Sequence, residues 1–365
     1  MRVFFYVQHL LGIGHLKRAA TLAGALRGAG FDVTLASGGA PVEGIPVLQL
    51  PSASSPDFKQ LLDEDGKPVD DAWKARRRDA LLEAFWKVSP GVLLIELFPF
   101  GRRQMRFELL PLLESAHQQS PKPLVVCSVR DLIQPNPARE DERLEHFERS
   151  FDRLLVHGDP RVATFERSFG KAARLAGKLH YTGYVVDEIP LKSEVGKDEV
   201  LVSAGGGAVG RRLLETAIQA RALSSLRSRT WRVLAGVNFD RFEELKTRAG
   251  EGVIVERARN DFTLRLGNCV LSVSQAGYNT VVETLQAGAR AVLVPFAGGA
   301  ESEQTLRARL LAERGLVHVV EEDSLTAATL AAAVDRAAAA ARPAPGTVDL
   351  GGARRSAELL REWLK

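Results

Sequence analysis

The sequence predicts an α/β protein made of two doubly wound domains, each with a mostly parallel sheet covered by helices. Three observations carry this. Short apolar, β-rich runs alternate with Ala/Leu/Arg-rich amphipathic segments, as successive βα units require. The alternation begins afresh after residues 184–197, a stretch mixing Gly, Pro and charge that reads as a linker. The chain has 365 residues, more than one ordinary core accommodates, so two lobes with a cleft between them follow.

In the first half the strands are "VFFYVQ", "FDVTLAS", "GVLLIEL", "PLVVCSV" and "FDRLLVHG", with helices expected over residues 15–29 and 103–118. In the second half the pattern restarts with "VLVSAGGGAVG", "WRVLAG", "GVIVER", "NCVLSVS", "ARAVLVPF" and "LVHVVEE". The Ala-rich stretch 326–341 is a helix, "RPAPGTVDLGG" breaks it, and a last helix covers 352–364. Two Rossmann-like domains, 1–187 and 188–345, result. Residues 346–365 form a C-terminal helix placed to pack back on the first.

Composition narrows the class. Apolar residues at 45% and charged ones at 26% are the usage of an ordinary globular protein, not of a disordered or fibrous one. The net charge of +4 is spread through segments such as "WKARRRD" and "GRRQMR", without the long basic tract that nucleic-acid binding favours. Cys127 and Cys269 stand alone in apolar runs, which points to a reducing compartment. The N-terminal apolar run is interrupted by Gln8, His9 and two glycines and lacks a cleavage site, and no stretch reaches the roughly 18 apolar residues of a membrane span. A soluble cytoplasmic protein is expected.

Ligands of open parallel sheets bind beyond the carboxyl ends of the strands, so the loops there hold the candidates. The first, "HLLGIGHLKRA", offers Gly12 and Gly14 for close backbone approach and His15 at a helix start. The second, "VSAGGGAVGRRLLE", places Gly205, Gly206, Gly207 and Gly210 before a helix, a phosphate cradle without the Lys-Ser/Thr ending of a nucleotide-hydrolysing loop. The third, "SVSQAGYNTVVETLQAG", interrupts an apolar strand with Ser274, Gln275, Gly277, Asn279 and Thr280, followed one turn on by Glu283. Helix-start amides and hydroxyls there suit a phosphate, and the carboxylate suits the two vicinal hydroxyls of a ribose. In the fourth, "VPFAGGAESEQTLRARLL", Glu301, Glu303 and Gln304 present acceptors and donors together, as a polyhydroxyl ring requires.

These four elements, in this order, resemble the GT-B glycosyltransferases that use nucleotide sugars, in particular the MurG-type N-acetylglucosaminyltransferases with a glycosyltransferase family 28 C-terminal domain. The specific part of the likeness is residues 203–310. The resemblance implies that residues 1–187 bind the acceptor and 188–345 the nucleotide sugar. It implies that Ser274 to Glu283 hold the diphosphate and ribose, that Glu303 and Gln304 hold sugar hydroxyls, and that His15 faces the acceptor. The first loop has fewer glycines than the MurG-type loop, and "IELFPFGRRQMRFE" has no counterpart there.

The expected activity is inverting transfer of a sugar from a UDP-sugar, such as UDP-N-acetylglucosamine, to an acceptor that the sequence leaves open. His15 is the candidate base, with Glu96 and Asp131, at strand ends of the same lobe, as substitutes. No metal or other cofactor is expected, since neither a DxD-like pair nor a His/Cys cluster at ligand spacing is present. A lipid-linked acceptor and peripheral contact with the inner face of the plasma membrane, through "AFWKV" or "FPFGRRQM", are compatible with the sequence. Two rival readings remain: a UDP-sugar hydrolase or non-hydrolysing 2-epimerase using Glu96 and Asp131, and a nucleotide-sugar-binding protein without turnover.

Overall fold

A parallel strand covered on both faces must be apolar on both sides, and the central strands meet that demand with unbroken hydrophobic runs. The computed structural model describes every residue except 56–58, 189–192, 206–209, 238 and 299–301. It divides into two compact units: Met1–Pro160, Thr164–Val185 and Gly351–Lys365 make the first, Arg161–Ala163 and Val186–Leu350 the second.

In the first unit the chain forms β1 (Arg2–Val7), α1 (Gly14–Gly28), β2 (Asp32–Ser37), β3 (Leu48–Gln49), α2 (Asp71–Val88), β4 (Val92–Glu96), α3 (Arg106–Gln118), β5 (Leu124–Arg130), α4 (Glu140–Ser150), β6 (Arg153–His157) and β7 (Leu179–Tyr181). Its sheet runs β3-β2-β1-β4-β5-β6-β7, and every pairing in it is parallel. Side chains alternate across it. Phe4, Tyr6, Leu93, Ile95 and Val125 join one buried cluster with Phe85 and Leu109, whereas Val3, Phe5, Val7, Leu94 and Val126 join another with Leu16, Leu22 and Leu26.

The first of these layers also buries an ion pair. Arg77 of α2 donates through Nε to Glu108 of α3 (2.7 Å) and through Nη2 to the Gln8 side chain (2.6 Å). Gln8 in turn donates to the carbonyls of His9 and Ala53. A buried guanidinium paired with a carboxylate and further hydrogen-bonded avoids the cost of a lone charge. Gly38 makes room for it, because a Cβ there would lie 2.0 Å from Arg77 Nη2. The loop leaving β1 is thereby anchored from below.

The second unit forms β8 (Glu199–Ser203), α5 (Arg211–Ala220), β9 (Thr230–Ala235), α6 (Phe242–Thr247), β10 (Val253–Arg257), α7 (Phe262–Asn268), β11 (Leu271–Ser274), α8 (Tyr278–Gln286), β12 (Ala291–Leu293), α9 (Glu303–Glu313), β13 (His318–Val319) and α10 (Ala327–Ala339). Its sheet order is β10-β9-β8-β11-β12-β13, again parallel throughout. Thr326 opens α10 with a capping box, accepting from the Thr329 amide at 3.1 Å.

The final helix, α11 (Gly352–Trp363), belongs to the first unit. Leu359 and Leu360 enter the cluster around α1, Trp363 lies 4.9 Å from the His180 ring, and the Gly352 amide donates to Tyr184 O at 3.0 Å. Gly352 permits that approach, since a Cβ would stand 2.4 Å from the Gly183 carbonyl oxygen.

Candidate active site

Each sheet has one topological switch point, where successive connections leave in opposite directions and a crevice opens at the strand ends. In the first unit it lies between β1 and β4, in the second between β8 and β11. His15 and Glu96 lie at the first, and Gly210 and Gln275 at the second, whereas Asp131 follows β5 and Gln304 follows β12.

His15 is the second residue of α1 and Glu96 the last of β4. The strand order brings them together: His15 Nδ1 stands 2.7 Å from Glu96 Oε1. A carboxylate only accepts, so Nδ1 carries the proton and Nε2 keeps its lone pair. Arg18, one turn along α1 and also buried, donates to the same Glu96 oxygen. Burial is the largest influence on His15 and, despite the opposing pull of Glu96, lowers its pKa to about 3, so the ring is neutral at pH 7. Burial acts the other way on Glu96, but His15, Arg18 and Arg102 outweigh it and hold the carboxyl well below its ordinary range. Arg102 occupies a left-handed backbone position (φ 58°) in the loop after β4, and its Nε has no hydrogen-bond partner.

Glu96 thus stands as the hydrogen-bond partner of His15. Asp131, one residue beyond β5, is buried and accepts the Leu132 amide at 2.8 Å. Gly158 packs against it, where a Cβ would meet Asp131 Cβ at 2.7 Å. Gly12 does not have a left-handed backbone, and among the described residues a Cβ there would meet nothing within 4 Å. Gly14 is the first residue of α1.

In the second unit Ser274 ends β11 in register with Ser203 of β8 and Leu293 of β12, which lines up the three loops that follow. The Gln275 amide donates to Ser203 O (3.3 Å) and the Val294 amide to Ser274 O (2.8 Å). Gly205 (φ 77°) and Gly210 (φ 100°) flank the glycine loop, and Gly210 lies close to Gln275, to whose Nε2 an added Cβ would come within 3.2 Å. Gly206 and Gly207 lie outside the described residues, as does Glu301.

Gly277 is the N-cap of α8 and provides no side chain to cover the first-turn amides; a Cβ there would meet nothing within 4 Å. Ser274 Oγ is buried and has no hydrogen-bond partner. Asn279, Thr280 and Glu283 follow on α8, all partly exposed. Open space above glycine, a buried hydroxyl without a partner and a helix start make a cradle that fits a phosphate group.

In the fourth loop Glu303 is buried at the first position of α9, 3.5 Å from Arg307 Nη1. Gln304 Oε1 accepts the Phe296 amide at 3.2 Å, tying α9 to the loop after β12. Sequence reading missed Arg18 and Arg307. Both were within reach of helical spacing, since Arg18 is three residues after His15 and Arg307 four after Glu303. Among the described residues no group of three His, Cys, Asp or Glu side chains could hold a metal ion, and no helix is long and apolar enough to cross a membrane.

Residues 202–345 match the family model of the glycosyltransferase family 28 C-terminal domain, a span that contains all the second-unit loops above. Over 202 residues the chain is 30% identical to the UDP-N-acetylglucosamine–N-acetylmuramyl-(pentapeptide) pyrophosphoryl-undecaprenol N-acetylglucosamine transferase of Paramagnetospirillum magneticum, covering 50% of this chain and 53% of that one. The protein of the same name from Phenylobacterium zucineum is 34% identical over 188 residues, 50% of each chain. The chain thus spans about half the length of the curated relatives it matches. Among solved structures, the calicheamicin glycosyltransferase CalG4 aligns with a TM-score of 0.66 at 16% identity, over 100% of this chain and 98% of its own. MurG of Acinetobacter baumannii aligns with a TM-score of 0.62 at 15% identity, over 99% and 100%. The fold is that of the GT-B glycosyltransferases.

Proposed function

We propose that this GT-B protein is a glycosyltransferase that moves a sugar from a UDP-sugar to an acceptor hydroxyl or amine, with inversion and without a metal ion. The observation that carries the reading is the His15–Glu96 pair at the switch point of the first sheet, in a chain whose second unit matches a nucleotide-sugar transferase domain. A hydrolase, an epimerase or a binding protein has no comparable support from the relatives, which are named as N-acetylglucosamine transferases.

In this reading the donor diphosphate rests on the start of α8, with Ser274 and the glycine loop beside it and Glu283 on the ribose. Gln304 and Glu303 border the sugar. The acceptor lies against the first unit. As the acceptor atom attacks the anomeric carbon from the face opposite the leaving group, the bond from that carbon to the diphosphate oxygen breaks and UDP departs. The acceptor proton passes to His15 Nε2. Glu96 holds the ring in the required tautomer and stabilises the imidazolium that forms, while helix-start amides stabilise the departing charge.

The names of the relatives support N-acetylglucosamine as the sugar and a lipid-linked acceptor. An enzyme with such an acceptor works at the inner membrane face as a peripheral protein. The test is UDP release from UDP-N-acetylglucosamine in the presence of lipid-linked and soluble acceptors. UDP formed without any sugar-bearing product would point to the hydrolase, and a donor unchanged after long incubation with every acceptor would leave only a binding protein.

A further inference from the structure

We infer that Arg307 is a positioning residue for the donor diphosphate, an inference that rests on the donor reading above. Its side chain is 1% exposed, yet it does not merely fill the interior. Nη1 donates to the Ala276 carbonyl at 2.9 Å and stands 3.5 Å from Glu303 Oε1, and the guanidinium lies 5.8 Å from the Tyr278 ring centre. Ala276 and Tyr278 are the two neighbours of Gly277, the N-cap of α8.

The Ala276 carbonyl and the Gly277 N–H belong to one peptide group. In a trans peptide these two point in opposite directions, so a guanidinium that fixes the carbonyl from one side turns the N–H to the other. A cation on the carbonyl also polarises the amide and strengthens its N–H as a donor. The cap itself is open: among the described residues, apart from its chain neighbours, nothing lies within 4 Å of a Cβ built on Gly277. Arg307 therefore aims and strengthens the first amide of the phosphate cradle without touching the ligand. Glu303 offsets the buried positive charge, and the pair links the start of α9, where the sugar would lie, to the start of α8. Both contacts run through Nη1, whose N–H directions are fixed by the guanidinium plane, whereas the ammonium of lysine is a rotating point charge.

The experiment compares UDP with uridine, which lacks the diphosphate, on wild type, Arg307→Lys and the double variant Glu303→Gln/Arg307→Met. The double variant avoids leaving a buried carboxylate alone. UDP affinity, measured by calorimetry, is expected to fall about 10-fold or more in the double variant, the worth of a hydrogen bond to a charged group. Arg307→Lys should fall between the two. Uridine affinity, measured by ligand-observed NMR, should not change, which a general loosening of the fold would not reproduce. Wild-type UDP affinity in a folded double variant, or equal losses for UDP and uridine, overturns the inference and leaves the donor reading intact. Should the double variant not fold, Arg307→Lys decides, and unaltered UDP binding there overturns the inference. Absence of binding of UDP, dTDP and GDP to wild type overturns the donor reading and this inference together.

Discussion

Replacing Glu96 by Gln tests the catalytic pair most directly, because the amide oxygen can still accept the His15 Nδ1 proton while the negative charge is gone. In the wild type that charge is 2.7 Å from the ring that becomes cationic as the acceptor is deprotonated. Two unit charges about 4 Å apart attract by about 4 kcal/mol at an effective dielectric of about 20. Arg18 donates to the same oxygen and cancels part of this. A loss of about 2 to 4 kcal/mol in the transition state corresponds to a fall in kcat of about 30- to 1,000-fold, at about 1.4 kcal/mol per tenfold. Since Glu96 raises the His15 pKa, its removal should also shift the acid limb of kcat/KM to lower pH, never higher. UDP release at saturating and at limiting donor, followed down to about pH 3, where His15 titrates, reads both. A folded Glu96→Gln enzyme within twofold of wild-type kcat would refute the reasoning, as would an acid limb displaced upward.

His15→Ala should lower kcat by about 100- to 10,000-fold and leave UDP affinity unchanged; near-normal kcat would remove His15 as the base. Glu283→Ala should melt as wild type does and bind UDP more weakly, and an unchanged dissociation constant would take Glu283 out of the ribose site. Gly277→Val and Gly210→Ala should fail differently. The first has space for its side chain, so UDP binding falls at constant Tm. The second must hold φ near 100° with a Cβ 2.4 Å from that of Ala204, so Tm itself falls; the reverse pattern would contradict the geometry. Finally, His15 and His157 are both lowered to about 3 by burial, so the unfolded chain takes up their protons first. Their contribution to stability is complete above the ordinary value of 6.5 and is lost as pH falls toward 3. Tm should drop across that window and drop less steeply in His15→Ala, and parallel curves for the two proteins would count against a neutral buried His15.

The βα alternation and the restart after residue 184 were legible because a parallel strand buried on both faces cannot hide its apolar run. β1, β5 and β8 fall where "VFFYVQ", "PLVVCSV" and "VLVSAG" place them. The edges were harder to see: β3 and β13 are two residues each, too short for any periodic pattern to register. The glycine loop and the Ser274–Glu283 element were legible for a different reason. Polar residues and glycines that interrupt an apolar strand end need an explanation, and a ligand supplies one.

Glu303 shows what sequence reading alone does not supply. A carboxylate at a helix start reads as solvent-facing, and only the fold reveals that Arg307 follows it into the interior. The pairing of His15 with Glu96 was hidden more deeply still. They stand 81 residues apart, and nothing local in either segment refers to the other. What joins them is strand order: β2 and β3 extend the sheet to one side of β1, the chain crosses back, and β4 settles against β1 on the other side. The residue that ends β4 must then face the loop that leaves β1. The second sheet repeats the reversal at β8 and β11, and there too it brings Gly210 close to Gln275, in segments whose composition no core explains. A switch point is the one place in such a sheet where two βα loops diverge and leave room between them. Each unit therefore has its own place for a ligand, and the His15–Glu96 pair and the phosphate cradle occupy the places that strand order alone would select.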